Sequence, residues 1–108
     1  MKIYEGRREG HAVIVTVNGL PLNPRHDLWN HSPTGFEWGY GGSGPAQRAL
    51  AILADHLNDD DEALAIYQPF KWSVVAEQPK KAWTLNSREI DQALQAIRSA
   101  EAVTGGVP

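Results

Sequence analysis

Cysteine is absent from this sequence, which removes disulfide frameworks, thiolate zinc sites and cysteine nucleophiles together and suits a reducing compartment. Long apolar runs are missing as well. No stretch approaches the length of a membrane span, and the Met1-Lys2-Ile3-Tyr4 opening has no apolar signal region, so the expected location is the cytoplasm, with no membrane partner. Basic excess is the third absence: ten Lys and Arg stand against thirteen Asp and Glu, a net charge of −3. A broad electrostatic footprint for nucleic-acid phosphates is therefore not expected. The charges are unevenly placed, with Arg7, Arg8, Arg25 and Arg48 in the first half and Asp55, Asp59, Asp60, Asp61 and Glu62 crowding the middle, which predicts a polarised surface. Repeats, linkers and low-complexity segments are also lacking. The 108 residues are enough for one domain with an unstapled core, expected over residues 1–103, with 104–108 as a flexible tail.

What is present reads as a single α+β domain: a small N-terminal antiparallel β-meander packed against about three helices, the central helix following a glycine-rich turn. Lys2 to Arg8 and His11 to Asn18 have the character of two strands. In the second, Val13, Val15 and Val17 alternate with Ala12, Ile14 and Thr16, a β-branched period of two that buries mainly the valine face. Asn18-Gly19 is a strong hairpin signal, and Pro21 and Pro24 confine the returning Leu20-Pro21-Leu22 to an edge. A loop from Arg25 to Gly35 leads to a short strand at Phe36-Glu37-Trp38. Ala46, Leu50, Leu53 and Leu57, widened by Ala49, Ile52 and Ala54, predict a helix from Pro45 to about Leu57 that is buried on most sides. Ala63, Tyr67, Phe70 and Val74 keep helical spacing, so a second helix is expected, kinked or interrupted at Pro69, although Phe70, Trp72 and Val74 also alternate as a strand would. Trp83-Thr84-Leu85 is a short extended piece. Asn86 and Glu89 have the spacing of a capping box before the stripe of Ile90, Ala93, Leu94, Ile97 and Ala100.

Four of the ten glycines fall between Gly39 and Gly44, in a bend where backbone can take positive φ or admit a close neighbour. Pro45 suits a first helical turn, with Ser43 or Gly44 as its cap. The free amides of that turn form a concavity able to hold a carboxylate or phosphate. Gly39-Tyr40-Gly41-Gly42-Ser43-Gly44 also fits the letters of a dinucleotide fingerprint, but the required acid at the end of a following parallel strand is missing. A P-loop is excluded because Pro45-Ala46 stand where Lys and Ser/Thr are needed. Ser43 lies in no nucleophile elbow, since Pro45 takes the final glycine position. No base, nucleophile and stabiliser can be assembled, so no catalytic residue and no cofactor are assigned. His11, His26, His31 and His56 lack the spacing of a zinc pair, and the run Asp59-Asp60-Asp61-Glu62 lacks the alternation and glycine of a calcium loop. No metal is assigned. Four tryptophans are many for so short a chain; core packing is their usual role, yet Trp38 and Tyr40 flank Gly39 at a bend and have the placement of exposed interface anchors.

The run Asn30-His31-Ser32-Pro33-Thr34-Gly35-Phe36-Glu37-Trp38-Gly39-Tyr40-Gly41-Gly42-Ser43-Gly44-Pro45-Ala46-Gln47, continuing through Ala49 to Asp55, resembles the signature of a family of small bacterial, phage and plasmid proteins classed as a domain of unknown function. Gly6-Arg7-Arg8, Asn18-Gly19, Phe70-Lys71-Trp72 with Val74-Val75, and Trp83-Thr84-Leu85 extend the resemblance over most of the chain. It implies a mobile-element or accessory setting, in which small acidic proteins often act by binding and blocking a host component. The expected function is accordingly that of a binding protein of a phage or mobile element, an inhibitor of a host defence or regulatory complex acting by protein–protein contact. Its surface would combine Asn30 and His31 with Trp38, Tyr40, Gly41, Gly42, Ser43, Gly44, Gln47 and Arg48. One alternative is a phosphate or nucleotide held on the Gly42 to Ala46 amides with Arg48 or His31 as charge partner. Another is a nucleic-acid-binding accessory protein in which aromatic residues act with Arg7, Arg8 and Arg25 on a single strand.

Overall fold

The computed structural model describes residues 1–31 and 43–105, with side chains of residues 101–105 left aside. Its sheet is built from β1 (Ile3–Glu9), β2 (Ala12–Val17), β3 (Leu20–Pro21) and β4 (Ala82–Asn86). Four antiparallel strands lie in the order β3-β2-β1-β4. The β2–β3 turn is carried by Asn18 at φ 50° and Gly19 at φ 82°, the left-handed pair that a tight hairpin requires. Pro21 sits on an edge strand, where its missing N–H is tolerated. Trp83-Thr84-Leu85 does more than extend the chain. It returns as β4 to pair with β1, so that the first and last strands of the domain are neighbours.

One face of the sheet is buried and the other faces outward. Val15, Gly6 and Trp83 lie across one inner row and Val17, Tyr4 and Leu85 across the next, and all are buried or half-buried against the helices. Val13 and Val17 flank the core while Val15 is within it, so the valine face is the inner one. Glu5, Arg7 and Thr84 project from the exposed face.

Helix α1 (Ser43–Leu57) occupies the centre. Ala49 through Leu53 are fully buried, and α1 packs most extensively on the helix that follows it. Ser43 and Gly44 lie in the first turn of α1. Asn58 at φ 52° ends the helix in the left-handed conformation. Asp59 then caps α2 (Asp60–Ser73), accepting the Glu62 N–H at 3.1 Å. This helix runs through Pro69 without interruption, and one 3₁₀ turn follows at Val75–Glu77. Of the kink or interruption expected at Pro69, the interruption is absent: the carbonyl that Pro69 leaves without a donor belongs to Ala65, on the exposed side of α2, where water can take it. The strand alternative for Phe70 to Val74 fails as well. At α3 (Ser87–Gly105) the capping box forms in both directions: Glu89 N–H donates to Asn86 Oδ1 at 2.9 Å and Asn86 N–H to Glu89 Oε1 at 3.0 Å. The helix continues to Gly105, beyond the expected start of the tail. Among the described residues, no helix is long and apolar enough to cross a membrane. The predicted strand Phe36 to Trp38 and the bend through Gly42 lie outside the described residues.

Candidate functional site

Polar anchors hold the loop from Leu22 to His31 in place. Arg25 takes φ 57°, an uncommon conformation for a residue with a side chain, and its N–H donates to Asn23 Oδ1 at 2.9 Å. Its guanidinium forks onto Asp27 at 3.0 Å through both Nε and Nη2, and onto Asp60 at 3.1 and 2.8 Å, fastening the loop to the start of α2. Both carboxylates raise the Arg25 pKa, and the guanidinium in turn lowers that of Asp27. A further anchor is Gln47, fully buried on the first turns of α1. Its Nε2 donates to the Pro24 carbonyl at 2.6 Å, and its Oε1 accepts the His31 N–H at 2.7 Å.

These anchors set His31 against α2, with Nε2 2.7 Å from the Tyr67 hydroxyl. Trp29 stacks on the imidazole, ring centroids 5.7 Å apart and planes 27° from parallel. One turn beyond Tyr67, the largely buried Lys71 places Nζ 4.4 Å from the centroid of the Trp72 ring. Trp29 and Trp72 are themselves 57 % and 60 % exposed. The product is a run of contacts from Trp29 through His31 to Tyr67, followed on the same helix by Lys71 and Trp72, with a buried or half-buried support behind each exposed indole.

Burial lowers the His31 pKa, and the charge of Lys71 lowers it further. Imidazole is therefore neutral in the folded protein near pH 7, and its Nε2 shares a hydrogen bond with the Tyr67 hydroxyl, accepting or donating according to the tautomer. The unfolded chain takes up its proton near pH 6.5, before the folded one does, so stability is full above that pH and declines as the pH falls through the lowered folded value. Urea titrations on both sides of pH 6.5 should show a shallower decline for His31→Gln than for the wild type. Equal slopes would mean that His31 does not carry this proton linkage.

Of the residues singled out from the sequence, His31 and Gln47 are brought into direct contact, and Asn30 lies exposed beside them. Ser43 is exposed and Gly44 buried in the first turn of α1. Arg48 is turned the other way, to the interior. It is fully buried, its guanidinium 4.0 Å from the centroid of the Trp83 ring, with Nη2 donating to Gln78 Oε1. Burial alone pushes its pKa down. Trp38, Tyr40, Gly41 and Gly42 lie outside the described residues. Asp27 is engaged by Arg25 and His31 by Tyr67, and among the described residues no group of three His, Cys, Asp or Glu is placed to hold a metal.

Tyr67 and Lys71 were not singled out as functional by the sequence. Their i, i+4 spacing puts them on one face of α2, but Tyr67 reads as part of an apolar stripe and Lys71 enters only through the family resemblance. A second polar cluster was equally hidden. Tyr4 O–H donates to Asp55 Oδ2 at 2.6 Å, and Lys2 Nζ reaches the same oxygen at 3.0 Å and the Asp55 carbonyl at 3.2 Å. Burial, and then the carboxylate, raise the Tyr4 pKa. Lys2 and Asp55 of this cluster line a pocket of about 520 Å³ together with Leu22, Asn23, Arg25 and Asn58.

Fold and site together define a small α+β domain with a one-sided sheet, a buried central helix and an aromatic face at the loop before that helix. The chain belongs to the Family of unknown function (DUF6166), whose family model matches residues 4–96. No curated protein and no solved structure matches it.

Proposed function

We propose that this protein is a binding protein that acts by protein–protein contact through the exposed indoles of Trp29 and Trp72, in the phage or mobile-element setting that the sequence resemblance implies, as an inhibitor of a host defence or regulatory complex. The observation that carries this reading is the exposure of two large indoles, each backed by a side chain that is itself held in place. Trp29 rests on His31, which Gln47 and Tyr67 fix; Trp72 is met by the largely buried Lys71. Ordering an aromatic anchor before binding lowers the entropic cost of association, and tryptophan is enriched among residues that dominate interface energetics.

Anion binding at the start of α1 is less well supported. It needs a cation near the amides, whereas Arg48 packs on Trp83 inside the domain and burial favours neutral His31. Single-strand binding loses two of its cations in a similar way: Arg25 is matched by two carboxylates, and Arg7 pairs with Glu9 at 2.8 Å. The contact reading is tested by capturing partners from the native host with tagged protein and measuring affinity for whatever is retained. Trp29→Ala and Trp72→Ala should each weaken that affinity by about 2 kcal/mol, or roughly thirtyfold, while circular dichroism stays unchanged. Undiminished binding by the folded double variant would refute the proposed contact.

A further inference from the structure

The two edges of the sheet are built differently. On one side β3 is only two residues long and contains Pro21, both features that discourage further pairing. On the other, β4 presents Ala82-Trp83-Thr84-Leu85-Asn86, a strand with neither charge nor proline. Its hydrogen-bonding phase follows from its two ends. Arg8 N–H donates to the Lys81 carbonyl at 3.3 Å and Ser87 N–H to the Lys2 carbonyl at 3.0 Å. With Gly6 opposite Trp83 and Tyr4 opposite Leu85, the antiparallel alternation turns the main-chain groups of Trp83 and Leu85 toward β1 and those of Ala82, Thr84 and Asn86 outward. Glu89 Oε1 takes the Asn86 N–H. Among the described residues, no hydrogen-bond partner meets the outward main-chain groups of Ala82 or Thr84.

We propose that β4 pairs antiparallel with β4 of a second copy of this chain, about a two-fold axis through Thr84, joining the two four-stranded sheets into one. This edge is self-complementary. Thr84 would exchange both main-chain bonds with its counterpart, and Ala82 would lie opposite Asn86 of the other copy, donating its N–H to the Asn86 carbonyl, while the Asn86 N–H stays with Glu89. Charge selects the direction. The Glu89 carboxylate is fixed on the edge line by its bond to Asn86, beyond one end of β4, whereas the exposed Lys80 and Lys81 flank the other end. Antiparallel pairing brings the acid of each copy to the lysine pair of its neighbour, and parallel pairing would set like beside like. Arg88 shares the first turn of α3, so the complementarity rests on Glu89, whose carboxylate is the one fixed at the edge.

Sedimentation of the whole chain, from low to high micromolar concentration, tests the pairing. The wild type should form a dimer. Thr84→Pro removes an outward N–H but leaves the bonds to β1, which come from Trp83 and Leu85, and should be monomeric with an unchanged circular dichroism spectrum. If that variant does not fold, the exposed pair Lys80→Glu, Lys81→Glu decides: it should weaken the dimer several-fold, and added salt should weaken the wild-type dimer likewise. A wild type that is monomeric throughout, a dimer retained by folded Thr84→Pro, or a dimer indifferent to both lysine reversal and salt would each overturn the proposal.

Discussion

Gly6→Ala should destabilise the domain by about 3 kcal/mol or more, beyond what an added methyl costs at most buried positions. The reason is space. A Cβ on Gly6 would stand 2.3 Å from Cε2 and Nε1 of Trp83 and 2.5 Å from Cζ2, inside any van der Waals contact. Trp83 has little freedom to retreat. It lies directly across from Gly6 in the β1–β4 register, is 6 % exposed, and has the Arg48 guanidinium 4.0 Å from its ring centroid. The indole must therefore leave its place or the two strands must separate, and either disturbs the contact with Arg48. A double-mutant cycle checks the cause. Combining Gly6→Ala with Trp83→Leu should cost clearly less than the sum of the separate changes, because the smaller side chain removes the clash. Additive costs measured by urea denaturation would mean that the indole does not exclude a side chain at Gly6.

That close approach explains why parts of this fold could be read from the sequence and others could not. Asn18-Gly19 and the Asn86–Glu89 box are local: the residues that satisfy each other lie within a few positions, and both formed as their chemistry predicts. The continuity of α2 through Pro69 was not legible, because the penalty of a proline depends on whether water reaches the carbonyl it strands, and local sequence does not show which side of α2 that carbonyl faces. Arg48 was harder still. A lone charge beside an apolar stripe usually marks the solvent side of a helix, and its partners Gln78 and Trp83 come from the far side of α2 in the chain. For the candidate site, the loop residue His31 and the helix residue Gln47 were both legible as members of one motif. Their supports on α2 were not, since Tyr67 and Lys71 acquire their roles only when α1 and α2 fold back on each other.

The same folding back makes Leu50 the side chain whose truncation should be felt most widely. Leu50→Ala is expected to cost about 2–5 kcal/mol, a large share of the roughly 5–15 kcal/mol that stabilises a domain of this kind. Leu50 is fully buried on the central helix, with Ala46, Ala49, Leu53 and Ala54 around it on α1 and the inner sheet residues in the same core. Alanine neighbours matter to the magnitude. They are too short to reach into a neighbouring void, so a cavity at Leu50 has few long side chains on α1 that can fold into it. Leu20, 68 % exposed on β3, supplies the control: Leu20→Ala should change stability by no more than about 0.5 kcal/mol. Urea midpoints at constant m value would separate the two. Comparable small losses at both leucines would contradict α1 as the buried centre of the domain, and with it the anchoring of the His31 loop through Gln47 on the same helix.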